Sequence, residues 1–180
     1  GMLLLMICFF IFPTNFSAVC VRTTNLDPIA VTIIMVALDV VAALVGVVFG
    51  GMMRRFRLSV KYFAPTFFLL GYLCFATSPS LPSLLVGCLF IGIANGVGVP
   101  YLNTIASIKA GQDAATTVMP LLSAALYAGQ FLSPLVATPL AAKFFPGNVL
   151  GIYWIACAFS VLFLLEVFAT RHSQALPPEE

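Results

Sequence analysis

The stretch GGMMRRFRLSVK, residues 50–61, lies between two long apolar runs and decides how the chain is threaded. It holds four of the eight Lys and Arg residues, although charged residues make up only 8% of the sequence. In a protein that crosses a membrane several times, loops rich in Lys and Arg stay in the cytoplasm. The stretch therefore predicts a cytoplasmic loop that sets the direction of the helices on either side of it.

The composition is that of an integral membrane protein. Hydrophobic residues make up 62% of the 180 residues, and the mean hydropathy is +1.12, whereas soluble domains are about 45–50% apolar. Each membrane-spanning helix takes about 20 apolar residues, and backbone polar groups in lipid must be satisfied within the helix. The sequence predicts an all-α, polytopic fold with six transmembrane helices, at 2–21, 28–53, 62–78, 84–108, 115–142 and 148–168.

The predicted domain organisation is one six-helix transmembrane domain at 1–170 and a disordered cytoplasmic tail at 171–180. Alternate connectors place six positive residues on one side of the membrane and two on the other, which puts the second and fourth connectors and the tail in the cytoplasm. The six are Arg54, Arg55, Arg57, Lys61, Lys109 and Arg171, and the two are Arg22 and Lys143. The expected location is a bacterial inner membrane. Since no start codon encodes Gly1, this residue is expected to be an added or processed terminus, or the chain to be the interior of a longer protein.

Asp39 is the main charged residue within a predicted span. It lies midway along the second segment, where insertion of a carboxylate costs about 2.5–3.5 kcal/mol. Ala43, Gly46 and Gly50 follow on the same helix face, and this stripe of small residues is expected to face other helices. Asp39 is interpreted either as a proton-coupling or cation-contacting carboxylate, or as a protonated side chain hydrogen-bonded within the helix packing.

The first and fourth segments carry residues that weaken a helix. The fourth contains Gly92-x-x-x-Gly96 with Asn95 and Asn103 nearby, and the first contains Pro13 and Asn15. Close helix packing explains the glycines, and a Gly- and Pro-interrupted segment with amides along one side is also typical of a cavity lining.

The fifth segment has a polar and proline stripe at helical spacing, formed by Ser123, Tyr127, Gln130, Pro134 and Thr138. Water, a substrate or another helix would each supply hydrogen-bond partners for these polar side chains. A division into three plus three spans pairs the first segment with the fourth and mid-span Asp39 with mid-span Gln130. Because each unit has an odd number of spans, the two would form an inverted repeat, as in many secondary transporters.

Motifs of enzymes and metal sites are lacking. The five cysteines show no C-x-x-C spacing, and His172, in the tail, is the single histidine, so neither a zinc site nor a Ser–His dyad is predicted. No phosphate-binding loop is present for an ATP-driven pump. We expect no enzyme activity and no cofactor, and the net charge of +2 gives no reason to expect a nucleic-acid partner.

The loop after the second segment is similar to a pattern of the major facilitator superfamily, G-x-L-x-D-R-x-G-R. Gly50, Met52 and Arg55 take the glycine, leucine and arginine positions, whereas Arg54 replaces the acidic residue and Arg57 the second glycine. Two further stretches are similar to the tenth and eleventh spans of that family, respectively GCLFIGIANGVGVPYL and ALYAGQFLSPLVATPL. Over nearly its whole length the chain resembles the C-terminal six-helix half of such a transporter.

The resemblance implies a twelve-span secondary carrier that works by alternating access. It implies that Asn15, Asn95 and Asn103 line the central cavity and that Asp39, Tyr127 and Gln130 lie at or near the translocation path. The partners would be a small solute, protons, the lipid bilayer and an N-terminal six-helix half. Export is mildly preferred as the direction of transport. The third and sixth spans would be lipid-facing supports.

Two other functions stay open at this point. A self-contained six-span solute-binding subunit would work with separate energising partners. A membrane scaffold would carry no solute. The loop pattern and the amphipathic fifth segment favour the carrier over both.

Overall fold

The computed structural model describes residues 1–24, 26–78 and 80–170, with the main chain alone at 58 and 111–115. Its described residues form helices and no strand, so the all-α prediction is confirmed. The predicted tail, 171–180, lies outside the described residues. The elements are α1 (Met2–Thr23), α2 (Pro28–Phe56), a 3-10 helix (Arg57–Tyr62), α3 (Phe63–Thr77), α4 (Leu81–Phe144) and α5 (Gly151–Ala169).

Six helical segments are long and apolar enough to cross a membrane, which confirms the predicted number and a multi-pass membrane protein. We number them from first to sixth: Met2–Thr23, Pro28–Phe56, Ser59–Thr77, Leu81–Ala110, Thr116–Phe144 and Gly151–Ala169. The fourth and fifth spans both belong to α4, because the main chain is helical through the predicted connector KAGQDA. Proline marks the start of two spans, at Pro28 and Pro82, where its missing N–H costs no hydrogen bond.

Residue pairs in contact show that consecutive spans run in opposite directions. As residue numbers increase along the first span, those of its contacts decrease in the fourth span and increase in the fifth. The fourth and fifth spans are therefore antiparallel, so α4, which contains both, reverses direction between them. The pairs are Gly1–Leu102, Leu5–Gly98, Leu3–Gly129 and Ile7–Ser133. The second span runs parallel to the fourth, as the pairs Leu38–Gly92 and Ala42–Gly96 show. The third and sixth spans are antiparallel, with the ring pairs Tyr62–Phe168 and Phe75–Tyr153.

The first span is the centre of the bundle. It contacts the other five spans, and ten of its residues are buried. An aromatic core joins it to the third and sixth spans, with Phe12, Phe16, Phe75 and Tyr153 in ring contact at centroid distances of 4.5–5.7 Å. Such aromatic pairs add about 0.5–1.5 kcal/mol each beyond the burial of their area.

Buried hydroxyl groups add directed contacts to this core. The Tyr72 hydroxyl donates to the main-chain oxygen of Cys8, and Ser133 Oγ donates to that of Ile7 at 3.1 Å. These bonds link the first span to the third and fifth. Away from water, each hydroxyl has few other hydrogen-bond acceptors. These bonds therefore favour one relative position of the helices along their axes.

Gly92 and Gly96 allow the fourth span to approach the second closely, which agrees with the close-packing interpretation of this motif. A Cβ at Gly92 would lie 2.9 Å from the main-chain oxygen of Leu38, and one at Gly96 would overlap the main-chain oxygen of Ala42. Only glycine permits main-chain contact at this distance.

We expect Gly96→Ala to lower the unfolding temperature of the purified protein in detergent. The added methyl group overpacks the contact with Ala42, which typically costs about 1–3 kcal/mol. Gly51→Ala is the matched control, since nothing lies within 4 Å of a Cβ there. Equal unfolding temperatures for the two variants would show that the Gly96 contact does not hold the helices together.

Candidate functional site

The second and fifth spans are the least covered by the rest of the bundle. In their most apolar stretches 11% and 17% of the residues are buried, against 44–50% for the other four spans. Membrane lipid suits an uncovered face that is apolar, but not one that carries polar side chains. The polar residues on these two spans are therefore the first candidates for a functional surface.

The fifth span has three distinct faces. Gly129, Ser133 and Ala137 are buried, and Gly129 and Ser133 contact the first span. Beside them lies the predicted polar stripe, in which Tyr127 and Gln130 are exposed together with Ser123 and Thr138. The third face is apolar and exposed, and includes Leu121, Phe131 and Leu135. The polar stripe thus lies between the packed face and an apolar face suited to lipid.

Asp39 lies at the middle level of the bundle and is exposed on the second span. Of the small residues predicted to share its face, Gly46 approaches the fourth span, where its Cβ would lie 3.9 Å from the main-chain oxygen of Gly96. Ala43 and Gly50 are exposed. Of these three small residues, Gly46 alone is partly buried.

Asp39 borders a cavity of about 210 Å³ between the first and second spans. The remaining walls are apolar or aromatic: Phe9, Phe10, Phe12, Pro13, Met35 and Leu38. Sequence reasoning missed the three phenylalanines as site residues. In the sequence, only Pro13, which was predicted to weaken the first helix, indicated that this part of the helix belongs to a site.

Asn15 lines a different cavity, of about 340 Å³, towards the end of the bundle opposite Gly1. Arg22, Thr138 and Asn148 supply further polar groups to its wall. The Asn15 amide donates to the main-chain oxygen of Ile11 at 2.9 Å. The first span thus separates the surroundings of Asn15 from those of Asp39, and the structure does not bring these two residues into one cavity.

The two asparagines of the fourth span have different surroundings. Asn95 Oδ1 is buried, and no described group donates a hydrogen bond to it. Asn103 is exposed and follows Leu102, which contacts Gly1 at the end of the first span. Asn95 is therefore half-buried with its amide oxygen covered, whereas Asn103 is exposed.

Five basic residues of the described chain gather at one end of the bundle, which we call the basic end: Arg54, Arg55, Arg57, Lys61 and Lys109. Arg22 and Lys143 lie at the opposite end. Arg54 and Arg55 occupy the last turn of the second span, where positive charge is favoured by the helix dipole. Lys61 is buried, and its Nζ lies 5.1 Å from the ring centroid of Tyr62.

Arg57 ends the second span in an unusual main-chain conformation. Its φ is +38°, the one positive value among the described residues other than glycine. This region favours glycine because a Cβ crowds the neighbouring carbonyl groups. The main chain at Arg57 thus has a conformation that glycine adopts more readily than arginine.

Groups that could hold a metal ion are not found: the described part of the chain contains no cluster of three or more His, Cys, Asp or Glu side chains. Its five cysteines are free thiols, four of them buried in the helix packing.

Arg57→Gly is expected to maintain or raise the unfolding temperature, because a strained main-chain conformation of this kind costs about 1–3 kcal/mol. The matched variant Arg55→Gly removes the same charge from a helical position and should lower it, since glycine costs about 1 kcal/mol within a helix. Thermal unfolding in detergent measures both. A larger loss for Arg57→Gly than for Arg55→Gly would contradict strain at Arg57.

No protein-family model, no curated protein and no solved structure matches this chain. Its membership of a family is therefore not shown, and the likeness to the major facilitator superfamily stays a prediction from the sequence pattern.

Proposed function

We propose that this chain is the C-terminal six-helix half of a twelve-span secondary carrier that moves a small solute by alternating access, with proton coupling and with export as the preferred direction. The N-terminal half, in the same polypeptide or as a partner, would face the second and fifth spans. The six spans would form a 3+3 inverted repeat, and the basic end would lie in the cytoplasm.

The observation that carries the proposal is the position of Asp39. It is exposed at the middle level of the bundle, on the span that the rest of the chain covers least. A carboxylate there is costly if it faces lipid, and intramembrane acidic residues usually face a cavity or a pathway. A second six-helix half opposite this face would supply a polar or water-filled surrounding.

The polar stripe of the fifth span supports the same arrangement. Tyr127 and Gln130 are exposed on a face distinct from the apolar one, and a translocation path between two halves would satisfy them. The glycine-like conformation of Arg57 supports the resemblance of the loop to the family pattern. The strong asymmetry of basic residues between the two ends supports a cytoplasmic basic end.

Proton coupling would be carried by the carboxyl group of Asp39. We expect transport by Asp39→Asn to lose the pH dependence of the parent protein, because an amide does not titrate. Transport would be measured in membrane vesicles over a range of pH. An unchanged pH dependence in this variant would rule out Asp39 as the coupling residue.

Alternating access is tested at Gln130 and Phe131, neighbouring residues at the same depth on different faces of the fifth span. We expect a membrane-impermeant maleimide to label Gln130→Cys in the native protein from either side of the membrane, in right-side-out and in inside-out vesicles. Water must reach position 130 if it borders a solute pathway, and a thiol must ionise in water to react.

Phe131→Cys is the matched control. Phe131 is 69% exposed, but on the apolar face, so its thiol should stay unlabelled in lipid. The parent protein gives the background from the five native cysteines. Equal labelling of both positions, or labelling of Gln130→Cys from one side alone, would contradict alternating access, and no labelling at either position would favour a scaffold.

A further inference from the structure

The cavity beside Asp39 is lined by one carboxyl group and by no basic side chain. Its lining residues are Phe9, Phe10, Phe12 and Pro13 of the first span and Met35, Leu38 and Asp39 of the second. Asp39 is the one ionisable group among these seven. An anionic solute would meet repulsion from the carboxylate and find no cation to pair with, which excludes the cavity as an anion site.

The aromatic walls are suited to positive charge. The rings of Phe9 and Phe10 are 5.2 Å apart and meet at 77°, so they form a corner. The ring of Phe12 is buried beside them. Aromatic rings attract ammonium groups through the negative potential of their faces, and this attraction is stronger where water is excluded. The thioether of Met35 adds a polarisable wall that adapts to the shape of a ligand.

Pro13 alters the main-chain hydrogen bonding of the helix at the cavity wall. It lies within the helix of the first span, and because proline has no N–H it cannot donate to the main-chain oxygen of Phe9, four residues earlier. Phe9 and Pro13 both line the cavity. The helix continues through Pro13, so this turn keeps its place in the cavity wall with one main-chain hydrogen bond fewer.

We propose that this cavity binds a small organic cation, an ammonium group that carries apolar or aromatic substituents. The inference rests on the proposed function and deepens it, since it names the substrate class of the same site. Asp39 would neutralise the positive charge, and the three phenylalanines would hold the substituents. At about 210 Å³ the cavity is below the roughly 300–1,000 Å³ of pockets for drug-sized ligands, so the cation would be small.

A metal cation does not suit this lining. Hard cations such as calcium and magnesium take about six to eight oxygen ligands or keep their own water, whereas the cavity offers one carboxylate and walls of carbon. An organic cation needs no such shell, because its charge is spread over alkyl groups that prefer an apolar surrounding.

The test is equilibrium binding of radiolabelled benzyltrimethylammonium to the native protein purified in detergent. Phenylmethanesulfonate, an anion of similar size, is the competing probe of opposite charge. We expect the cation to bind at least about tenfold more tightly than the anion. Asp39→Asn should weaken cation binding by about tenfold or more, and Phe9→Leu by about threefold.

Two matched controls separate the cavity from general effects. Asp27→Asn removes a carboxylate from the start of the second span, outside the cavity, and Phe131→Leu removes an exposed ring from the fifth span. Both should leave cation binding unchanged. Asp39→Glu should retain more binding than Asp39→Asn, and a single symmetric peak in size exclusion would show that each variant is folded.

Equal affinity for cation and anion would overturn the inference, as would cation binding that Asp39→Asn leaves unchanged in a folded protein. This result leaves the proposed carrier standing if Gln130→Cys is labelled from both sides. Conversely, Asp39-dependent cation binding without labelling at position 130 would retain the cation site and reject alternating access. The two failures are thus distinguishable.

Discussion

The packing of the first span against the other five is the contact on which the bundle depends. Its aromatic residues join those of the third and sixth spans in one core, and Ile7 and Cys8 accept hydrogen bonds from the fifth and third. In lipid, burial of apolar surface does not by itself drive helices together. Close van der Waals contact and a few buried hydrogen bonds must fix the arrangement instead, and both are concentrated on this helix.

A central first span leaves the second and fifth spans at the periphery. The second is held largely through Gly92 and Gly96 of the fourth, and the fifth through Gly129 and Ser133 on the first. Small residues on one face of each contact allow the helices to approach, while the remaining faces stay uncovered. The polar side chains of the uncovered faces are therefore available to a partner, to water or to a solute.

The basic side chains and Asp39 lie at different depths along the bundle. Positive residues of the described chain lie at the ends of the spans, five of them at the basic end, whereas Asp39 lies at the middle level beside aromatic rings. Positive residues at the basic end favour one orientation in the membrane, while a carboxylate at mid-depth is retained at a cost to insertion. The first arrangement bears on topology, and for the second we propose the role of counter-ion in the cation site.

The sequence by itself determined the number of membrane-spanning segments and their approximate ends, because both follow from the length of apolar segments and from the cost of unsatisfied backbone in lipid. The grouping of basic residues follows from their positions between these segments. The sequence also predicted close helix packing at Gly92 and Gly96. Only the tertiary structure decided that Asp39 shares a cavity with Phe9 and Phe10, and that Asn15 and Asn103 lie apart from it. These neighbours belong to different helices, and which faces meet depends on rotation and depth of packing, which no local pattern encodes.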